Sequence, residues 1–250
     1  MTPGISTQAR AASLRPRGAA SRPEPLRLQL LDSFALARGD ELVPLPPSVQ
    51  RLVVFVAIHD RLLLRQYVAG SLWPETTEQC AGANLRSALW RLNKLDVHVV
   101  DARGVTLRLA AEIPVDLRDR TAEARVLLAA QEPDVDGLDD SVFRVDLLPD
   151  WYDDWLVIER ERFHQLRLRA LECACERLAA RGEYARALDA GLAAVAGEPL
   201  RESAHRALVK VHLAEGNHAE AVRQYKLYRQ LLQEQLGLTP SLQMLELLRG

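Results

Sequence analysis

This 250-residue sequence predicts a mostly α chain with a small β component: a mixed sheet-and-helix unit followed by an all-α unit. Three patterns carry the prediction. Apolar and polar residues alternate over residues 26–46 and again over 97–109, the period of a strand. The stretch between them, and nearly everything after Ala110, has helical periodicity. Gly182-Glu183-Tyr184-Ala185-Arg186-Ala187 is echoed 34 residues later by Gly216-Asn217-His218-Ala219-Glu220-Ala221. At 27.9 kDa the chain is long for one domain and comfortable for two, since domains usually run ~100–150 residues.

Composition narrows the class. Apolar content of 48% with 26% charged residues is enough to build cores. The longest apolar run, Leu52 to Ile58, falls far short of the ~20 residues of a membrane span, so no membrane partner is expected. The odd cysteine count (Cys80, Cys173, Cys175) suits a reducing cytoplasm. Residues 1–110 carry 14 Lys+Arg against 9 Asp+Glu, and residues 111–250 carry 18 against 25. A basic half joined to an acidic half suggests that one half meets a polyanion.

Residues 1–25, rich in Pro, Ala and Ser with four arginines, predict a disordered tail. From Leu26 the alternation predicts two or three short antiparallel strands with a turn at Arg38-Gly39-Asp40. A helix is expected over Ser48–His59, with Val49, Leu52, Val53, Val56 and Ala57 on one face, and a second over Arg65–Leu72, ended by Trp73-Pro74. Thr76-Thr77-Glu78-Gln79 fits a capping box with Thr76 as the cap. The helix that follows runs to about Leu95. At 100° per residue it turns Ala81, Leu85, Ala88, Leu89, Leu92 and Leu95 inward and Ala83, Arg86, Ser87, Trp90 and Lys94 outward, with Arg91 at the border. Val97 to Leu109 reads as a hairpin turning about Asp101-Ala102-Arg103-Gly104.

Sheet, three helices, hairpin is the order of a winged helix-turn-helix. The capped helix then takes the recognition position and the hairpin is the wing. Small residues with arginine and lysine on its outer face suit entry into the ~12 Å major groove. Trp90 on that charged face has no core reason to be there; packing on a neighbouring domain is its alternative use. Cys80, at the helix start, reads as a small buried residue.

The second half predicts a short helix at Thr121–Ala130, an acidic loop at Gln131–Asp140 and a long helix from about Trp151 to Ala180. The 34-residue echo is the tetratricopeptide period, with Ala187, Ala194 and Ala221 where paired helices approach closely and Pro199 closing the first unit. Stacked helix pairs of this kind present a concave surface to proteins. His205 and His212 share a helix face without a third ligand, so surface or interhelical places are expected.

Catalytic signatures are absent. There is no phosphate-binding glycine motif, no H-E-x-x-H and no G-x-S-x-G. Cys173 and Cys175 point ~200° apart on a helix and cannot share a metal. The Asp150, Asp153, Asp154 cluster among Trp151, Tyr152 and Trp155 reads as an aromatic-anchored helix start. No enzyme activity, cofactor or metal is expected.

Several segments together resemble the Streptomyces antibiotic regulatory protein family, an OmpR-type winged helix followed by a bacterial transcriptional activator domain. They are Gln50-Arg51, RQYVAGSLWP at 65–74, NLRSALWRL at 84–92, LLPDWYDDWLVIERERF at 147–163, the stretch from Glu198 to Tyr225, and LGLTPS at 236–241. The likeness covers about residues 26–248. It implies a winged helix at 26–110 and a tetratricopeptide-like activator domain at 111–250, without the ATPase or phosphopeptide-binding domain of larger relatives. Such a protein is expected to bind double-stranded DNA at direct repeats near the -35 element. It would sit there as a homodimer or as side-by-side protomers and recruit RNA polymerase holoenzyme with its sigma factor, often for a secondary-metabolite gene cluster. The DNA-facing set is then Arg86, Ser87, Trp90, Arg91 and Lys94 on the recognition helix and Arg103 on the wing. Thr76 and Thr77 join it at the helix start, as do Arg65 and Arg51 on the helices before it. Gly82, costing the helix ~1 kcal/mol against alanine, predicts a first turn that frays or forms only on DNA. Two other readings fit the same residues: a tetratricopeptide scaffold, and a repressor using the same DNA contacts. A chain ended near Ala110 is expected to keep weakened but sequence-specific binding and to lose almost all activation.

Overall fold

A computed structural model describes residues 24–129 and 143–249; the tail up to residue 23 and the acidic loop at 131–140 lie outside them. The described chain opens with β1 (Leu26–Gln29), β2 (Ala35–Arg38) and β3 (Glu41–Leu42), an antiparallel sheet in that order. Leu28 pairs with Leu36 and both are buried, as alternation requires. Helix α1 (Pro47–His59) starts with proline at its first turn and buries Val49 and Leu52 through Ala57 without a break. That burial exceeds the one-sided stripe expected from the sequence, because α1 is the central helix of this unit.

After α1 come β4 (Leu63–Leu64), α2 (Arg65–Leu72), α3 (Glu78–Asn93), β5 (Val100–Arg103) and β6 (Thr106–Leu109). Strand β4 pairs with β6, giving a second sheet of order β4-β6-β5. Two residues are too few for a period-of-two signal, so β4 had no trace in the sequence. The remainder is helical: α4 (Asp116–Ala129), α5 (Asp154–Ala180), α6 (Tyr184–Gly197), α7 (Glu202–Ala214), α8 (His218–Leu236) and α9 (Leu242–Glu246).

Two helix starts differ from expectation. α4 begins at Asp116 rather than Thr121, because the Asp116 carboxylate accepts from Leu117 N at 2.7 Å and also from Leu30 N and Leu31 N at 2.8 and 3.1 Å. One side chain thus satisfies a free N–H in the first turn of α4 and pins the segment that follows β1. α5 begins at Asp154 rather than Trp151, since residues 143–153 form a strap across the first unit. The Arg160 guanidinium holds that strap, donating to the carbonyls of Leu147, Leu148 and Trp151 at 3.0, 2.5 and 2.5 Å.

The strap and the start of α5 complete the core of the first unit. Leu147, Leu148, Leu156 and Phe163 belong to the same buried cluster as Leu28, Val53, Phe55 and Leu92, with Trp151 and Trp155 packed against it. Trp155 meets Phe55 edge-on at 5.1 Å between centroids. The apolar core therefore runs across position 110.

The helical half pairs α5 with α6 and α7 with α8, as the 34-residue echo predicts. Gly182 and Gly216, at φ +79° and +87°, close α5 and α7 in a conformation that favours glycine. Glu183 N reaches Leu178 O and Asn217 N reaches His212 O, the same six-residue closure in both. Ala187, Ala194 and Ala221 are fully buried. At Gly191 a Cβ would lie 2.5 Å from Leu208 Cδ2 and 3.0 Å from Cys175 Sγ, so only glycine lets α5, α6 and α7 meet. Gly191→Ala should gain ~1 kcal/mol of helix propensity yet lose ~1–3 to overpacking. A urea melt should show net destabilisation; a rise in midpoint would contradict this packing.

His205 is interhelical and buried. Its Nε2 lies 2.9 Å from Pro199 O, Gln224 Nε2 lies 2.8 Å from its Nδ1, and its ring stacks on Tyr228. Gln224 donating to Nδ1 leaves Nε2–H for the carbonyl, so the ring is neutral. Burial, opposed by the Pro199 carbonyl, pushes its pKa below the ordinary 6.5. A depressed folded-state pKa gives stability that is present above the unfolded value and lost as pH falls through the folded one. Melting temperature should therefore drop between about pH 7.5 and about pH 5.5, and drop less in His205→Gln. Equal drops would show that His205 does not titrate with unfolding.

Candidate nucleic-acid interface

The surface of interest is built from α2, α3 and the β5–β6 hairpin. α3 is continuous through Gly82, so the frayed first turn is not observed. Its cap is Thr77, whose hydroxyl accepts from Cys80 N at 3.3 Å; Thr76 instead donates to Trp73 O at 3.0 Å and closes the turn from α2. The cap read at Thr76 is thus displaced by one residue, and with Cys80 at the third helical position the reciprocal half of a capping box is lost. Gln66 holds the first-turn carboxylate of Glu78 at 2.8 Å, fastening α2 to the start of α3.

Phasing along α3 follows the 100° expectation. Ala81, Leu85, Ala88, Leu89 and Leu92 are buried, and Arg86, Ser87, Trp90, Arg91 and Lys94 are exposed. Leu95, expected inward, is 36% exposed because the helix has already ended at Asn93. Cys80 is exposed, one residue before the buried stripe begins, which corrects the expectation of burial. Trp90 is 58% exposed and carries the Lys94 ammonium 3.8 Å from its ring centroid. The pair sets an aromatic plate and a cation side by side on the outer face. Arg91 leans back to Ser48 Oγ at 3.3 Å, bracing α3 against the start of α1.

The wing differs in one detail from the sequence reading. Arg103 pairs with Thr106, so the loop is Gly104-Val105, with Gly104 at φ +53°. Arg103 is the last paired residue of β5, and Val105, 70% exposed, forms the tip. Arg108 is neutralised by Asp101 at 2.9 Å, and the hydrogen bonds from Arg108 and His98 hold the Asp101 carboxyl below its usual range. Arg103 and Arg86 have no such partner among the described residues. Arg86 lines a groove of about 980 Å³ between α2, α3 and the wing together with Arg65, Gln66 and Thr76, and Gly104, next to Arg103 in the chain, brings the wing to its edge.

Arg51 stands apart from this set. Its guanidinium donates to Leu72 O and to Asp153 Oδ1, both at 2.8 Å. It ties α1 to the end of α2 and, across 102 positions that no local pattern signals, to the strap before α5. Asp153 also accepts from Trp155 Nε1 at 3.2 Å. The Asp-Trp cluster of the sequence is therefore the joint between the two halves, and sequence reasoning missed that role. No cluster of metal-ligating side chains, and no helix long and apolar enough to cross a membrane, occurs among the described residues.

Residues 117–249 match the family described as bacterial transcriptional activator domain. The chain belongs to that family. As the resemblance to Streptomyces antibiotic regulatory proteins implied, this is a transcriptional regulator of that type with an N-terminal winged-helix domain. Its fold is similar to that of Mycobacterium tuberculosis EmbR, in a structure in complex with a low-affinity phosphopeptide, at a TM-score of 0.69 and 20% sequence identity. The similarity covers 90% of this chain and 64% of that one, so the chain spans less than two thirds of EmbR's length. No curated protein sequence matches it.

Proposed function

We propose that this activator-domain protein is a cytoplasmic, sequence-specific DNA-binding activator. In this reading it sits on direct repeats near a -35 element as side-by-side protomers and recruits RNA polymerase holoenzyme through its helical half. The carrying observation is the outer face of α3, where Arg86, Ser87, Trp90, Arg91 and Lys94 stand exposed beside a wing whose Arg103 is unpaired among the described residues. Such a face suits base edges and phosphates in the major groove. The acidic helical half, with 18 Lys+Arg against 25 Asp+Glu, would be repelled by DNA and left free for protein. A secondary-metabolite gene cluster as target follows from the family resemblance. Gel shifts with DNA upstream of the neighbouring genes, run with and without polymerase, test this. A specific shift that polymerase supershifts supports activation, and a specific shift that excludes polymerase supports repression. No specific shift supports a protein scaffold.

Arg103 belongs at a phosphate or a narrow minor groove, where its charge displaces a counterion. Arg103→Ala should lower affinity and reduce the slope of log K against log salt by ~1. An unaltered slope with full affinity would remove the wing from the interface.

A further inference from the structure

A cleft of about 390 Å³ opens where the end of α1 meets α4 and α5. Its floor is apolar: Ile58 from α1, Leu117 from α4, Leu147 from the strap, and Phe163 and Leu166 from α5. Three arginines stand around it, Arg118, Arg125 and Arg162, with two acids, Asp60 and Glu159. The acids are already taken. Asp60 pairs with Arg118 at 2.8 Å and Glu159 with Arg162 at 2.7 Å. Arg125 makes no ion pair or hydrogen bond among the described residues, and Arg118 Nε is buried without a partner.

We propose that this cleft binds a small apolar monocarboxylate, its carboxylate held by Arg125 and its body on the floor of Ile58, Leu147 and Phe163. Charge sets the class. One uncommitted guanidinium fits one negative charge, and the planar fork matches a carboxylate. The concave apolar wall with a few convergent polar groups at a seam between units is the usual form of a small-molecule site, and its volume falls within the usual ~300–1,000 Å³. An adjoining groove of about 660 Å³ shares Arg125, Arg162 and Leu166 and continues over Val157 and Ile158, 55% and 62% exposed. It gives a longer chain somewhere to run. The occupant would touch α1, which packs directly on α3, so it lies one helix layer from the DNA-reading face.

Calorimetric titration of the full chain, without DNA, with octanoate and with octanol tests this independently of any promoter. Octanoate should saturate one site, and octanol should bind at least about tenfold more weakly, as befits loss of a charged hydrogen bond. Arg125→Ala, at an exposed position, should bring octanoate down to the level of octanol. Ala122→Trp, which fills the cleft from another exposed position, should abolish both. The proposal is overturned by absence of saturable octanoate binding, by equal binding of octanol, or by octanoate binding that ignores either substitution.

Discussion

A chain ended at Ala110 is expected to show no cooperative unfolding transition. Ile113, Val115, Leu147, Leu148, Leu156 and Phe163 are all buried in the core that the first unit would have to keep. At ~1.5–3 kcal/mol per buried side chain, their loss removes on the order of 10 kcal/mol, as much as the ~5–15 kcal/mol of a whole domain. The Arg51–Asp153 ion pair and the Asp116 bonds to Leu30 and Leu31 go with them. This expected result departs from the reading that the short chain keeps weakened, sequence-specific binding. Urea melts followed by circular dichroism check this. A sharp transition near that of the full chain would show that the first unit stands alone.

Operator affinity should fall by ~1–3 kcal/mol in each of Arg86→Ala and Lys94→Ala if the residue reads a base. Both side chains are exposed and outside the apolar stripe of α3, so the melting temperature should hardly change. Lys94→Ala also removes the cation from Trp90, so a small further loss through a less fixed indole is expected. Fluorescence anisotropy with labelled upstream DNA measures both. Wild-type affinity in the two variants would take α3 out of the groove.

Periodic features were readable from the sequence and long-range ones were not. The two faces of α3 follow from 100° phasing because one helix decides them, and the 34-residue echo identifies paired helices because each unit repeats the same local packing. The misplaced cap, the shifted wing turn and the exposed Cys80 are errors of one or two residues, where several neighbouring side chains could serve equally well. β4 is too short to leave a pattern. The joint is a different case: the sequence alone places Arg51 with the DNA-facing residues, and its partner Asp153 lies 102 residues away. Only the folded chain brings the two together, as it brings Asp116 to β1 and the arginines to the cleft at α4 and α5.

The most direct measurement is photocrosslinking from two exposed positions, Ser87 on α3 and Leu227 on α8, each carrying p-benzoylphenylalanine, to upstream DNA. Ser87 should form adducts with bases inside each repeat, and Leu227 should form none. Adducts from Leu227 alone, or none from Ser87 under conditions of specific binding, would contradict the placement of α3 in the groove and of the helical half away from it.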